Sequence, residues 1–143
     1  MIACLLFIAG TMVHIQATAQ EKNIPAKIKA TVNSKSGGQK ILLMGKDHAR
    51  GYYVATLESG SVLTVGIDGK WLQTIHPALD KKFPPTISAA LNPYRIKGYE
   101  IDNMVFVEDA TKGKYYNADV TSDEDVITLY IDLNGKVFKK EKR

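Results

Sequence analysis

The chain is written twice. Ile24-Pro25-Ala26-Lys27-Ile28-Lys29-Ala30-Thr31-Val32-Asn33 aligns with Phe83-Pro84-Pro85-Thr86-Ile87-Ser88-Ala89-Ala90-Leu91-Asn92 at an offset of 59. Pro25/Pro84, Ile28/Ile87, Ala30/Ala89 and Asn33/Asn92 are identical, and Ile24/Phe83 and Val32/Leu91 are apolar in both. Three more blocks follow in the same order. Tyr52-Tyr53-Val54-Ala55 matches Tyr115-Tyr116-Asn117-Ala118, and Val62-Leu63-Thr64-Val65-Gly66-Ile67-Asp68 matches Val126-Ile127-Thr128-Leu129-Tyr130-Ile131-Asp132. Gly69-Lys70-Trp71-Leu72 then matches Gly135-Lys136-Val137-Phe138 as the offset drifts to 66, with the insertions falling in loops. One such match could arise by chance; four in the same order point to tandem repeats of one unit.

Each copy reads as a short helix followed by strands. Proline opens the helix, where its fixed φ and missing N–H cost little. Ile28 and Val32, like Ile87 and Leu91, lie four apart and share one helical face. Asn33 and Asn92 are expected to end the helices, with Pro93 stopping the second. Strands are predicted at 40–44, 52–57, 62–67 and 71–75, then at 96–101 and 105–108 around a break, and at 115–120, 126–131 and 136–139. Turns are expected at Glu58-Ser59-Gly60-Ser61 and Thr121-Ser122-Asp123-Glu124, and at Asp68-Gly69 and Asp132-Leu133-Asn134-Gly135. The Asp, Asn and Gly in the last two tolerate positive φ. Strands joined by turns this tight must pair antiparallel. The expectation is therefore an α+β chain of two units, each a short helix packed on a three- or four-stranded antiparallel sheet, joined by residues 76–83. A unit of roughly 60 residues is marginal alone, so the two should pack together.

The segment 1–19 has no charged residue, carries an apolar run from Leu5 to Ile8, and ends in Ala17-Thr18-Ala19 before Gln20. Small residues at that spacing are what a signal peptidase reads, although the usual basic start is missing. The run is too short and too interrupted to span a bilayer. The predicted organisation is a signal peptide over 1–19, a first repeat over 20–76 and a second over 77–143, with the protein periplasmic or secreted. Cleavage takes 19 of the 143 residues, leaves 124, and removes Cys4, the only cysteine. The mature chain then has no disulfide and no thiol chemistry. Its formal net charge of +4 is mildly basic. The terminal Lys139-Lys140-Glu141-Lys142-Arg143 reads as a solvated chain end rather than a nucleic-acid or membrane anchor.

Period-two alternation assigns the sheet faces. Tyr53, Ala55, Leu57, Leu63, Val65, Ile67 and Trp71 fall on the more apolar face, towards the helix, with Tyr116, Ala118, Val120, Ile127, Leu129, Ile131 and Val137 as counterparts. The opposite face carries Tyr52, Thr56, Thr64 and Leu72, then Tyr115, Asn117, Thr128, Tyr130 and Phe138.

A proline-started helix, a Tyr-Tyr strand and an apolar strand running into a Gly-Lys-apolar turn, given twice after a signal peptide, resembles the PepSY-like, β-lactamase-inhibitor-like family of small periplasmic proteins. The resemblance spans residues 24–140. It implies a fold whose open sheet face grips another protein, and it carries no family catalytic residue onto this chain.

Catalytic parts are scarce. His48 lies in the polar loop Lys46-Asp47-His48-Ala49-Arg50, and His76 precedes Pro77; both are expected to be solvent-exposed, and neither has metal-ligand spacing. No Gly-x-Ser-x-Gly elbow occurs. Asp132-Leu133-Asn134-Gly135 lacks the remaining ligands of a calcium loop, and Thr121-Ser122-Asp123-Glu124-Asp125 reads as a solvated acidic turn. No enzyme, cofactor or metal is expected. Tyrosine and other aromatics give large contact area at small entropic cost. The candidate binding residues are therefore Tyr52, Tyr115, Tyr130 and Phe138, for a protein or peptide partner in the cell envelope. The alternative is an envelope sensor or a binder of a small or anionic ligand through Lys and Arg.

Overall fold

A computed structural model describes residues 23–79 and 82–143. The predicted signal peptide lies outside the described residues. Helix α1 (Ala26–Lys35) precedes strands β1 (Ile41–Asp47), β2 (Tyr52–Leu57), β3 (Val62–Gly66) and β4 (Trp71–Pro77). Helix α2 (Pro85–Ile96) precedes β5 (Glu100–Asp109), β6 (Gly113–Thr121), β7 (Val126–Asp132) and β8 (Val137–Lys142). All eight strands form one antiparallel sheet in sequence order.

One continuous sheet replaces the expected pair of small ones. The joint is β4 against β5, where Gln73 faces Asp109, Ile75 faces Val107 and Pro77 faces Val105. Residues 76 and 77, expected in the linker, thus belong to the sheet. Pairing across this joint occupies backbone donors and acceptors that two separate sheets would leave at exposed edges.

Both helices outrun their predicted ends. Asn33 is inside α1, which closes at Ser36 with its N–H on the Val32 carbonyl before Gly37 and Gly38 turn at positive φ. Pro93 sits inside α2. It lacks the N–H that would meet the Ala89 carbonyl, but Ala89 and Pro93 are both exposed, so water can take that bond. The true stop is Gly98. At φ 86° it lets the Tyr99 N–H reach the Tyr94 carbonyl and its own N–H reach that of Arg95, a Schellman closure. Ile96 is accordingly helical, and β5 runs unbroken to Asp109, with a bulge between Ile101 and Asn103.

The face assignment holds where the strands are regular. Ile28 and Val32 of α1 are buried with Ala55, Leu57, Leu63 and Val65. Ile87 and Leu91 of α2 are buried with Met104, Ala118, Val120, Leu129 and Ile131. Burying the Val, Leu, Ile and Met side chains among them contributes about 1.5–3 kcal/mol each. Ile67 departs, standing 60% exposed in a turn.

The register also corrects one sequence match. Ala55 faces Leu63 and Tyr53 faces Val65; Ala118 faces Leu129 and Tyr116 faces Ile131. Leu63 therefore occupies the place of Leu129, two residues away from the sequence pairing with Ile127. A two-residue slip preserves the facing of every side chain, so alternation alone could not detect it.

Candidate binding face

Neither helix packs on the second face of the sheet, and cross-strand partners there can be followed row by row. One row runs Val62, Ile75, Val107, Tyr115 across β3 to β6. The next runs Pro77, Val105, Asn117, Tyr130, Lys139 across β4 to β8. Ile75, Val105, Val107 and Tyr115 form a cluster of their own, with Tyr130 packed on it. Side chains on this face thus screen one another from water without a covering helix.

Three of the four predicted residues meet here. Tyr115 is only 6% exposed. Tyr130 and Phe138 lie over it, with ring centroids 6.2 Å and 5.6 Å from that of Tyr115 and 6.2 Å from each other. The Tyr115–Phe138 pair is nearly perpendicular, at 88°, the edge-to-face arrangement aromatic quadrupoles favour. A bulge between Tyr130 and Ile131, opposite Val137, turns Phe138 onto this face. Phe138 remains 46% exposed.

Polar groups border the rings. The Tyr130 hydroxyl donates to Glu141 Oε2 at 2.9 Å, and Lys139 bridges the same carboxylate at 2.5 Å while lying 4.9 Å from the Tyr130 ring centre. Burial, followed by the Glu141 bond, raises the Tyr130 phenol pKa; burial also raises that of Tyr115. The Lys139 bond, followed by that of Tyr130, lowers the Glu141 carboxyl. Below them, Thr128 donates to Asp119 at 2.6 Å and Arg143 donates to both, at 3.0 Å and 2.8 Å. The result is a fixed aromatic centre with a charged, hydrogen-bonded rim.

Tyr52 stands apart. It lies on β2, four strands from Tyr115, opposite Asp47 and Gly66, and its hydroxyl accepts from Arg50 at 2.8 Å.

The structure also corrects His76. Expected in an exposed linker, it is a half-buried residue of β4, stacked on Phe106 at 5.9 Å, with Nδ1 2.8 Å from Ser61 Oγ and Nε2 4.0 Å from Glu108 Oε1. Serine, histidine and an acid invite comparison with a hydrolase triad, in which serine meets Nε2 and the acid Nδ1. Here the nitrogens are exchanged, and Ser61 is 2% exposed. A substrate carbonyl cannot reach that hydroxyl. Nothing in the sequence pattern joined these residues, because each comes from a different strand or turn.

The remaining constellations are structural. Asp132 Oδ1 accepts the Asn134 and Lys136 N–H groups, as expected of a turn. Asp125, in the acidic turn, accepts from Tyr99 and pairs with Lys142, which together hold its carboxyl below the usual range. Among the described residues no group of three or more His, Cys, Asp or Glu is placed to hold a metal ion, and no helix is long and apolar enough to cross a membrane.

No family model and no curated protein matches the chain. Solved structures do. A BLIP-like protein from Bacteroides fragilis superposes with a TM-score of 0.72 at 17% identity, covering 82% of this chain and 85% of that one. The fold is BLIP-like. A DUF2874 family protein from Bacteroides ovatus gives 0.71 at 18% identity over 82% and 86% of the two chains. A Bacteroides eggerthii protein, provisionally described as periplasmic, gives 0.63 at 14% over 82% and 88%. No enzyme family is among these likenesses, and at these identities they speak for the fold alone.

Proposed function

We propose that the chain is an exported, non-enzymatic module that grips a protein or peptide partner with the open face of its sheet. The observation that carries this reading is the cluster of Tyr130 and Phe138 over buried Tyr115, ringed by Lys139, Glu141, Asp119 and Arg143. Interfaces concentrate their energy in rigid aromatic anchors surrounded by polar groups that exclude water. Tyr130 and Phe138 are the anchors, Tyr115 is their support, and Tyr52 is peripheral. The BLIP-like neighbour agrees with a protein partner, and the eggerthii neighbour agrees with a periplasmic or secreted location.

The same proposal includes descent from two tandem repeats, 20–76 and 77–143. Like contacts recur at like places. Gly69 approaches the Lys27 side chain within 3.4 Å, measured from a Cβ built on the glycine, and Gly135 approaches Thr86 in the same way. Asp47 accepts the N–H groups of Ala49 and Arg50 ahead of Gly51, as Asp109 accepts those of Thr111 and Lys112 ahead of Gly113.

The test is affinity capture from envelope extract with three baits: the mature chain, Tyr130→Ala/Phe138→Ala, and Tyr52→Ala. A partner retained by the first and third and lost from the second supports the assignment. Equal recovery on all three, with circular dichroism unchanged, removes the face from consideration.

A further inference from the structure

A hollow opens on the opposite, helix-covered side of the sheet. It lies between the end of α2 and the outer strands β7 and β8, has a volume of about 430 Å³, and is independent of the aromatic cluster above. Ala90, Pro93, Ile127 and Val137 supply aliphatic lining. Tyr94 and Tyr99 stand edge to face at 6.0 Å and 84°. Two ammonium groups, Lys97 and Lys140, complete the lining.

The charges distinguish this hollow from its neighbours. The one beneath Phe83 carries Glu108 as well as Lys82. The one beyond Tyr99 is lined by Glu100, Asp123 and Glu124. Between Tyr94 and Val137 no carboxylate lines the wall. Lys97 stands on the ridge towards the acidic hollow, yet forms no ion pair within 4.0 Å with a described residue, and the contact found for Lys140 is with the Tyr94 ring at 5.6 Å. Tyr99 is held by its hydroxyl on Asp125, so the wall it forms is fixed.

We propose that this groove binds a small amphipathic anion of roughly ten to fifteen heavy atoms, an apolar body carrying one carboxylate. Hollows of ~300–1,000 Å³ with apolar walls and a few convergent polar groups are the usual form of small-ligand sites. The body lies along Ile127, Val137 and the tyrosine rings, while the carboxylate meets Lys97 and Lys140. A neutral amphiphile would leave both ammonium groups unmatched, and a cationic one would be repelled.

Decanoate is the probe, and the mature chain is titrated by calorimetry and by amide chemical-shift mapping at low salt. The expected result is saturable binding with shifts centred on Tyr94, Lys97, Tyr99 and Lys140, weakening as salt rises. Each of Lys97→Gln and Lys140→Gln should weaken binding by up to ~5-fold and the pair by ~10-fold or more. Decyltrimethylammonium should bind at least ~10-fold more weakly than decanoate. Ala90→Leu, which fills the groove from the helix, should abolish binding while circular dichroism stays unchanged. Absence of decanoate binding at millimolar concentration, equal affinity for the cation, indifference to both lysine changes, or shifts centred on Tyr130 and Phe138 would each overturn the proposal. Tyr130→Ala/Phe138→Ala should leave decanoate binding intact, so this site and the open face stand or fall separately.

Discussion

Tyr52 and Tyr115 open the same short motif, Tyr-Tyr-x-Ala, yet one is half-exposed beside an arginine and the other is buried beneath two rings. Their strands differ in what lies alongside. β2 neighbours the edge strand β1, so Tyr52 faces Asp47 with no strand beyond; β6 neighbours β5, which is itself paired with β4, so Tyr115 faces Val107, with Ile75 beyond it. The register adds a second difference. Thr64 and Leu72 occupy in the first half the places that Tyr130 and Phe138 occupy in the second. The Thr-for-Tyr and Leu-for-Phe differences together decide whether a lid of rings can form. Equivalent local sequence therefore sets the direction of a side chain, and its environment comes from the neighbouring strands.

The most direct way to break this comparison is to truncate both tyrosines. Tyr115→Ala should cost ~3 kcal/mol or more, as aromatic deletions in packed clusters do. Tyr52→Ala should cost under ~1 kcal/mol. Urea unfolding of the two variants measures the difference, and equal losses would show that the cluster around Tyr115 contributes no more than the half-exposed Tyr52 ring.

A finer test compares the two helix-facing turns. Gly69 and Gly135 have φ of 87° and 84°, so alanine at either strains the backbone by ~1–2 kcal/mol. A Cβ at Gly135 would also stand 2.5 Å from the Thr86 carbonyl oxygen, whereas at Gly69 it would meet only the flexible Lys27 side chain at 3.4 Å. Gly135→Ala should therefore be the more destabilising, by ~1 kcal/mol or more. Equal melting temperatures would mean that α2 shifts without penalty.

The smallest effect concerns acid. Asp125 in the second half has its carboxyl held below its ordinary 3.8, first by the Lys142 bond and then by that of Tyr99. A depressed carboxyl stabilises the fold above its unfolded pKa, and the contribution is lost as pH falls through the folded one. The wild type should lose more urea resistance between pH 6 and pH 3 than Asp125→Asn does. Identical losses would show that this pair contributes nothing to acid stability.

Much of the architecture was readable because period-two alternation is insensitive to detail. Ala55, Leu57, Leu63, Val65 and their counterparts reached the core as expected. The candidate site was read in part. Alternation put Tyr115, Tyr130 and Phe138 on one face, but could not show that the first would be covered by the others or that Tyr52 would be four strands away. The Asp-x-x-x-Gly turns at Asp47 and Asp109 were visible in the sequence as a further match and escaped the block comparison. The Ser61–His76 contact had no such signal, because it depends on which turn reaches which strand.

Residue order alone determined the succession of helices and strands, the antiparallel pairing of neighbours joined by tight turns and the face that side chains in regular strands take. These follow from turn length and from the spacing of apolar residues, which are local. Tertiary structure decided that β4 pairs with β5, making one sheet of two, and so took β4 and β5 from edges into the interior. That choice depends on satisfying backbone hydrogen bonds and apolar surface across the joint between the halves, quantities that no single segment carries. Across that joint Ile75 joins Val107 and Tyr115 in the cluster on which Tyr130 packs.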